Sequence, residues 1–343
     1  MRRKCNSTQV ILLILVAVFT ILNPNFLSPF NLYNFLMQNE YRIVMITGLA
    51  IIMLGGALDL SLGYQISLVG ILIGKLLTAD VPVPICILMG LAAGCCCGLL
   101  NGFLIAGLNL SSVIVKRSRD FLFIRRETPD AIISAMLTLI TQKLFQGISY
   151  LLSKGMTYSD FPEPIMSISG MKGSTMPAGH IIMILSILFL EGMFCFTILG
   201  KNILSMGYDE QVLRQNGIPV GKYKLSAYIL GSFFFAVAAL LLISRQGLAV
   251  SNMGNGLEVD GMFAVCIAGG ASLILKNSEV KRRVPISNFY LGILVIAVIE
   301  NGMQLSGSIQ YYQYVITSVV VLYSVIPTLP AFLPKNQEKK QKN

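Results

Sequence analysis

The chain has 343 residues, of which 55% are hydrophobic and only 12% are charged, and its mean hydropathy is +0.72. This balance excludes a soluble globular protein and indicates an integral membrane protein that lies in a lipid bilayer. A net charge of +10 would suggest nucleic-acid binding in a soluble chain. In a membrane protein the basic residues instead mark one side of the bilayer, so we expect no nucleic-acid partner.

Apolar stretches of bilayer-spanning length recur along the whole sequence. Counting them predicts an all-α polytopic membrane protein with about ten transmembrane helices in one bundle. No linker or soluble segment interrupts the pattern, so residues 1–343 are expected to form one membrane domain. The first apolar run has no small-residue cleavage site after it and is interpreted as a retained span. The predicted spans are 8–27, 41–58, 62–78, 84–106, 130–152, 179–199, 225–243, 261–275, 285–305 and 311–333.

Basic residues give the predicted orientation. With about ten spans, both termini fall on the same side, and most of the 26 lysines and arginines fall on that side too. Arg42 is among the minority on the other side. The positive-inside rule therefore predicts that both termini, the loop 200–224 and the basic tail 335–343 are cytosolic.

An acidic residue, Asp59, lies between the second and third spans in the run GGALDLSLG at residues 55–63. Irregular backbone at membrane depth is tolerated only against protein or a water-filled cavity. Asp59 could accept hydrogen bonds from Ser61 or from the glycine-rich backbone, or it could contact a ligand directly, and we favour the structural role. Glu300 and Asn301, near the outer end of their span, could serve either purpose.

A polar stretch, residues 200–224, separates the sixth and seventh spans. Residues 208–216 within it predict a short helix with Asp209 and Glu210 in the first turn, Arg214 near the end and a stop at Gly217. A helix of two turns is unstable alone in water and must pack against something else. The stretch is therefore either a docking surface for another subunit or a solvated loop.

Motifs for catalysis are missing from the sequence. No phosphate-binding loop has the required spacing, and the single histidine, His180, removes most general-base schemes. The run Cys95-Cys96-Cys97 lies in an apolar segment without histidine partners, so neither a metal nor another cofactor is expected. No ladder of intramembrane acids suggests a proton relay, which weakens the alternative of an ion-coupled secondary transporter acting without an ATPase.

Several stretches together resemble the permease subunit of a ribose-type monosaccharide ABC importer, in the branched-chain amino acid/ribose permease superfamily. They occur in the family's order over nearly the full length. They are GGALDLSLG at 55–63, NGFLIA at 101–106, GKN at 200–202 with NGI at 216–218, GNGLEVD at 254–260 with IAGGASL at 267–273, and ENGMQL at 300–305 with YYQ at 311–313.

The resemblance implies a transport subunit of the cell membrane that is not itself an enzyme. It implies three protein partners: a separate ATPase that hydrolyses ATP in the cytosol, a second permease copy or paralogue, and an extracytoplasmic sugar-binding protein. It implies two sets of functional residues. The ATPase-docking set is Asp209, Glu210, Arg214, Asn216 and Gly217, and the translocation core is Asp59, Ser61, Asn101, Glu300 and Asn301.

Two stretches depart from the family pattern. Residues 111–127, SSVIVKRSRDFLFIRRE, look like an insertion in a cytosolic loop, and residues 276–283 replace glycines usually found there with a charged run. Both departures add charge on the side where an ATPase would dock. The geometry of the partner interface is therefore expected to differ from that of other family members.

Overall fold

A computed structural model describes residues 7–107, 130–170, 177–270, 284–307 and 311–326. The predicted insertion at 111–127, the charged run at 276–283 and the basic tail at 335–343 lie outside these described residues. Within them the chain is almost entirely helical. The helices are α1 Ser7–Leu22, α2 Pro29–Leu54, α3 Leu62–Thr78, α4 Val83–Gly102, α5 Asp130–Ser153, α6 Glu163–Met166, α7 Ala178–Phe196, α8 Ile198–Tyr208, α9 Glu210–Gln215, α10 Val220–Gln246, α11 Leu257–Ile267, α12 Ser287–Leu305 and α13 Tyr311–Val325.

The all-α polytopic fold is confirmed. In the described part of the chain, five helices are long and apolar enough to cross a membrane: α4 with the π-helical turn Phe103–Gly107 that follows it, α5, α7, α10 and α12. Shorter apolar helices occur at α1, α3 and α13. Each of the ten predicted spans overlaps one of the helices, and the number that cross the bilayer stays a prediction.

The centre of the bundle is α10, which packs most extensively against α4 and α2. The glycines of α4 make this approach possible. A Cβ added at Gly94 would lie 2.5 Å from the Cβ of Ala236, and one at Gly98 would lie 2.5 Å from the carbonyl oxygen of Tyr228. The regularly spaced glycines of this span therefore serve close helix packing.

Helices α2, α10 and α11 begin four or more residues earlier than the apolar pattern predicts, α10 at Val220 rather than at residue 225. The second span was expected from residue 41, but α2 starts at Pro29, where the Ser28 hydroxyl accepts a hydrogen bond from the Asn31 amide (3.3 Å) and the proline occupies the first turn. The eighth span was expected from residue 261, but α11 starts at Leu257 after Gly256, whose φ is +92°. The Ser28 side chain thus caps α2, whereas α11 follows the positive-φ residue Gly256 without a side-chain cap.

The two loops at residues 153–179 and 245–260 carry only short regular elements between the long helices. A two-residue strand β1, Tyr158–Ser159, pairs antiparallel with a second strand β2, Leu248–Ala249. The short helix α6 lies in the first of these loops. Because the strands pair, both loops lie on the same side of the bundle, as the predicted topology requires.

Candidate functional site

The break between α2 and α3, residues 55–61, carries irregular backbone through the protein interior. Its polar backbone groups bond to side chains of α5 and α10. The Leu58 amide donates to the Ser134 hydroxyl (2.8 Å), the Leu60 amide donates to the Thr138 hydroxyl (3.0 Å), and the Tyr228 hydroxyl donates to the Leu58 carbonyl (2.8 Å). Protein groups thus take the place of water for these donors and acceptors at membrane depth.

The carboxylate of Asp59 lies at this break and is 1% exposed. Its Oδ1 accepts hydrogen bonds from the Ser61 amide (2.8 Å) and the Ser61 hydroxyl (2.6 Å). Its Oδ2 accepts from the side-chain amides of Gln65 (2.9 Å) and Asn101 (3.2 Å). The hydrogen bond predicted between Asp59 and Ser61 is therefore present, and four donors surround a charge that has no cationic partner among the described residues.

Ser61 links the members of this network. Its hydroxyl accepts from Asn101 (2.9 Å) and from Gln65 (2.8 Å) while donating to Asp59. Since α3 begins at Leu62, the Asp59 carboxylate lies at the amino-terminal end of this helix, where the helix dipole favours negative charge. Three of the predicted translocation-core residues, Asp59, Ser61 and Asn101, are thus in one hydrogen-bonded network, here called the Asp59 network.

Sequence reasoning missed Gln65, the fourth member of the Asp59 network. Gln65 is fully buried, and its amide bonds to both Asp59 and Ser61. The signal was its position four residues after Ser61, which places the two side chains on one face of α3.

Glu300, another predicted core residue, belongs to a different cluster. It forms an ion pair with Arg42 of α2, whose guanidinium also lies 3.9 Å from the Asp260 carboxylate of α11. The side-chain exposures are 11% for Arg42, 22% for Glu300 and 28% for Asp260. We call these three residues the Arg42 cluster, and it joins α2 to α11 and α12. Sequence analysis placed Arg42 on the outer side but did not predict its partners.

Asn301, next to Glu300, has a separate set of contacts. Its side-chain amide and that of Asn31 donate to each other, at 3.1 and 2.9 Å, and Asn31 also donates to the Phe26 carbonyl (2.7 Å). Both asparagines are buried. This amide pair holds the start of α2 against the end of α12, so adjacent residues of one motif contribute to two different contacts.

The predicted short helix in the polar stretch is present as α9. Asp209 is its N-cap, with Oδ1 accepting from the amides of Gln211 (3.0 Å) and Val212 (3.2 Å). Glu210 bonds to Arg214 one turn later (2.6 Å) and to Lys224 of α10 (2.6 Å). Asn216 is its C-cap, and Gly217 follows with φ of +75°. All five predicted docking residues therefore belong to α9 or its caps.

A second helix of this stretch, α8, was not predicted from sequence. The Thr197 hydroxyl caps it by accepting from the Gly200 amide (3.0 Å), and its buried residues Ile203 and Met206 lie on one face. The threonine cap and the apolar spacing were the available signals. Leu213 of α9 packs against Met206 and Val220, so α9 leans on α8 and α10.

Helix α8 also touches the break that holds Asp59. Gly207 is so close to the end of α2 that an added Cβ would overlap the Leu54 carbonyl oxygen, and a Cβ at Gly56 would lie 3.1 Å from the Gly207 Cα. Gly56 has φ of +80°, which favours glycine. The polar stretch and the break are therefore in direct backbone contact.

Residues 31–325 match the family described as branched-chain amino acid transport system / permease component. The chain belongs to this family. The resemblance drawn from the motifs is thereby confirmed, and the secondary-transporter alternative is not favoured. The docking and translocation-core assignments of individual residues stay predictions.

Curated relatives match the chain over almost its whole length. It is 27% identical to the ribose import permease protein RbsC of Escherichia coli K12 over 324 residues, which covers 93% of this chain and 92% of the relative. It is 27% identical to the galactose/methyl galactoside import permease protein MglC of the same organism, covering 94% and 93%. It is 28% identical to RbsC of Bacillus subtilis, covering 92% and 89%. No solved structure matches the chain.

Proposed function

We propose that this chain is the membrane subunit of an ABC importer and forms the translocation path for a monosaccharide. An extracytoplasmic binding protein would deliver the sugar, and a separate cytosolic ATPase would drive the cycle. The chain would lie in the cell membrane with both termini in the cytosol and would pair with a second permease copy or paralogue. The whole-length similarity to ribose and galactose import permeases supports this proposal.

The observation that carries the proposal is the arrangement of α8 and α9. Helix α9 is attached to the bundle through buried Leu213 and the Glu210–Lys224 ion pair, while the preceding residue, Val212, is 47% exposed. An exposed apolar side chain on a short helix that is capped and packed against the bundle suits a docking contact better than a solvated loop. The predicted topology places this face in the cytosol.

The contact between α8 and the break gives a route for motion. Movement of the ATPase would displace α9 and α8 together, because Leu213 and Met206 pack against each other. Gly207 lies against Leu54 and Gly56, so the displacement would reach the α2–α3 break and the Asp59 network. ATP binding can shift the bundle only through contacts that differ between its states, and we propose this interface as the place where they differ.

Substituting Val212→Asp tests the docking surface. A carboxylate at the centre of an apolar contact is expected to weaken association with the partner ATPase roughly tenfold or more, as for an interface hot spot. The measurement is co-purification of each ATPase subunit encoded near this chain with the detergent-solubilised permease. Arg214→Ala, with Asp209 and Glu210 left intact, is expected to weaken it less.

The matched control is Asn252→Asp, which adds the same carboxylate to an exposed loop on the opposite side of the bundle. It is expected to leave co-purification unchanged. Equal association of the Val212→Asp and wild-type chains with the ATPase would contradict docking on α9. Sugar uptake that follows an ion gradient in proteoliposomes containing this chain alone would overturn the importer proposal itself.

A further inference from the structure

A polar pocket lies beside the Arg42 cluster, between the first half of α2 and the second half of α12. Its volume is about 200 Å³, and Arg42, Tyr41, Asn39, Gln38, Glu300 and Gln304 contribute to its lining. Gln38 and Gln304 are exposed and form the rim, whereas Arg42 and Asn39 are buried and form the floor. Both helices reach the extracytoplasmic side here in the predicted topology, so the pocket would open outward.

The guanidinium of Arg42 is held in one orientation and keeps donor capacity. Its Nε donates to the Tyr41 hydroxyl (3.1 Å), and its Nη1 contacts Glu300 and the Asn39 side-chain oxygen. Its Nη2 is 3.9 Å from Asp260, which is beyond hydrogen-bonding distance. Its Nη2 thus keeps donor capacity on the side of Asp260, and the guanidinium as a whole is part of the pocket lining.

The chemistry of the lining favours a neutral polyhydroxylated ligand. Among the residues that line the pocket, the one positive charge, Arg42, is already paired with Glu300, so an anionic ligand finds no free counter-charge there. The exposed side-chain amides of Gln38 and Gln304 provide both donors and acceptors, as vicinal hydroxyl groups require. Tyr41 adds an aromatic ring of the kind that packs against the C–H face of a sugar.

The same lining disfavours a branched-chain amino acid, the substrate class in the family description. A leucine or valine side chain needs apolar surroundings to gain free energy on leaving water. Ala297 is the one aliphatic residue among those that line the pocket. The apolar side chain of such an amino acid would therefore contact amides and charged groups. It would displace the water bound to these groups and offer no hydrogen bonds in return.

We infer that the pocket beside Arg42 is a low-affinity monosaccharide site in the outer half of the permease, and that it selects sugars over branched-chain amino acids. This inference rests on the proposed function. The amides and the guanidinium of the pocket would bind the hydroxyl groups of the sugar as the sugar leaves the binding protein. A site for transit must release its ligand, and a small pocket with a wet rim suits that need.

The experiment uses the full chain in lipid nanodiscs and saturation-transfer NMR with D-ribose, D-galactose or L-leucine as the probe. At least one sugar is expected to receive saturation from the wild-type protein. The double variant Gln38→Leu/Gln304→Leu changes exposed rim residues and is expected to fold. Loss of the rim hydrogen bonds is expected to weaken sugar binding roughly three- to tenfold per bond lost.

Asn252→Leu is the matched control, because it replaces an exposed amide outside the pocket by the same side chain. It should bind sugar as the wild type does. Three results would overturn the inference: no sugar signal from the wild type, equal sugar binding by the rim variant, or an L-leucine signal that the rim variant abolishes. Co-purification with the ATPase is measured on the same protein preparations. If the ATPase binds but sugar binding does not depend on the rim residues, the sugar site is refuted and the importer proposal is not.

Discussion

The Asp59 network and the Arg42 cluster stabilise acidic side chains in different ways. Asp59 has no cation beside it in the described part of the chain and is stabilised by four hydrogen-bond donors and the amino terminus of α3. Glu300 is paired with the guanidinium of Arg42, which Asp260 approaches from a second helix. The first arrangement uses neutral dipoles, and the second uses an ion pair.

The two regions also differ in access. The Asp59 carboxylate is closed in by its own network at 1% exposure, whereas Arg42 and Glu300 line a pocket with an exposed rim. A closed network fixes backbone geometry at the break, and an open cluster can exchange a hydrogen bond with a passing ligand. Depth in the membrane alone therefore does not distinguish a structural acid from one that contacts a ligand. The distinction depends on the groups that pair with the carboxylate and on whether a ligand can reach it.

The largest effect is expected for Arg42→Met. Removing the guanidinium leaves Glu300 and Asp260 without a counter-charge in a mostly buried site, which typically costs about 3–5 kcal/mol of the free energy of unfolding. The measurement is equilibrium unfolding in mixed micelles, followed by far-ultraviolet circular dichroism. The triple variant Arg42→Met/Glu300→Gln/Asp260→Asn removes both charges as well and is expected to recover most of the loss.

The matched control is Arg214→Met, because Arg214 also pairs with a glutamate, but at a side-chain exposure of 58%. Exposed pairs of this spacing contribute only about 0.3–0.5 kcal/mol. If Arg42→Met lowered the free energy of unfolding no more than Arg214→Met does, the Arg42–Glu300 ion pair would not hold α2 to α12. The Arg42 cluster would then not be stabilised by its ion pair, and its contrast with the Asp59 network would fail.

Asp59→Asn is expected to have an intermediate effect. The asparagine keeps the size of the side chain, but its NH₂ group would face hydrogen-bond donors in either orientation. These donors are the amide and hydroxyl of Ser61 on one side and the side-chain amides of Gln65 and Asn101 on the other. A buried donor left without an acceptor costs about 1–3 kcal/mol of the free energy of unfolding. Asp209→Asn is the control, since asparagine caps a helix as well as aspartate does and the site is exposed. Equal stabilities of the two variants would show that the Asp59 network contributes nothing specific.

Much of the fold could be predicted from the sequence because bilayer thickness fixes helix length. The spans at α3 and α12 were placed to within two residues, since apolar runs with sharp polar ends define them. The early starts of α2 and α11 were missed because they are marked by the Ser28 cap and by the positive-φ residue Gly256, and neither feature shows in hydropathy. Helix α8 was missed because its apolar face is narrow and lies within a polar stretch.

The candidate site was predictable only where its residues are close in sequence. Asp59 and Ser61 are two residues apart, so their hydrogen bond followed from local spacing. Asn101 entered through the family resemblance alone. Arg42 and Glu300 are separated by 258 residues, and nothing in a single sequence pairs them. Long-range electrostatic partners depend on how helices pack, which hydropathy does not specify.

The smallest effect is expected for Asp260→Asn, the same chemical change as at Asp59 but in the open region. Asp260 lies 3.9 Å from Arg42 at 28% exposure, so its attraction to the guanidinium is partly screened and no short hydrogen bond joins them. We expect a loss of less than about 1 kcal/mol in mixed-micelle unfolding, as for a weak ion pair. Glu300→Gln, which removes the closer partner of Arg42, should cost more. A loss at Asp260 as large as that of Asp59→Asn would mean that both acids are held equally tightly, and the contrast between a closed network and an open cluster would have no energetic basis.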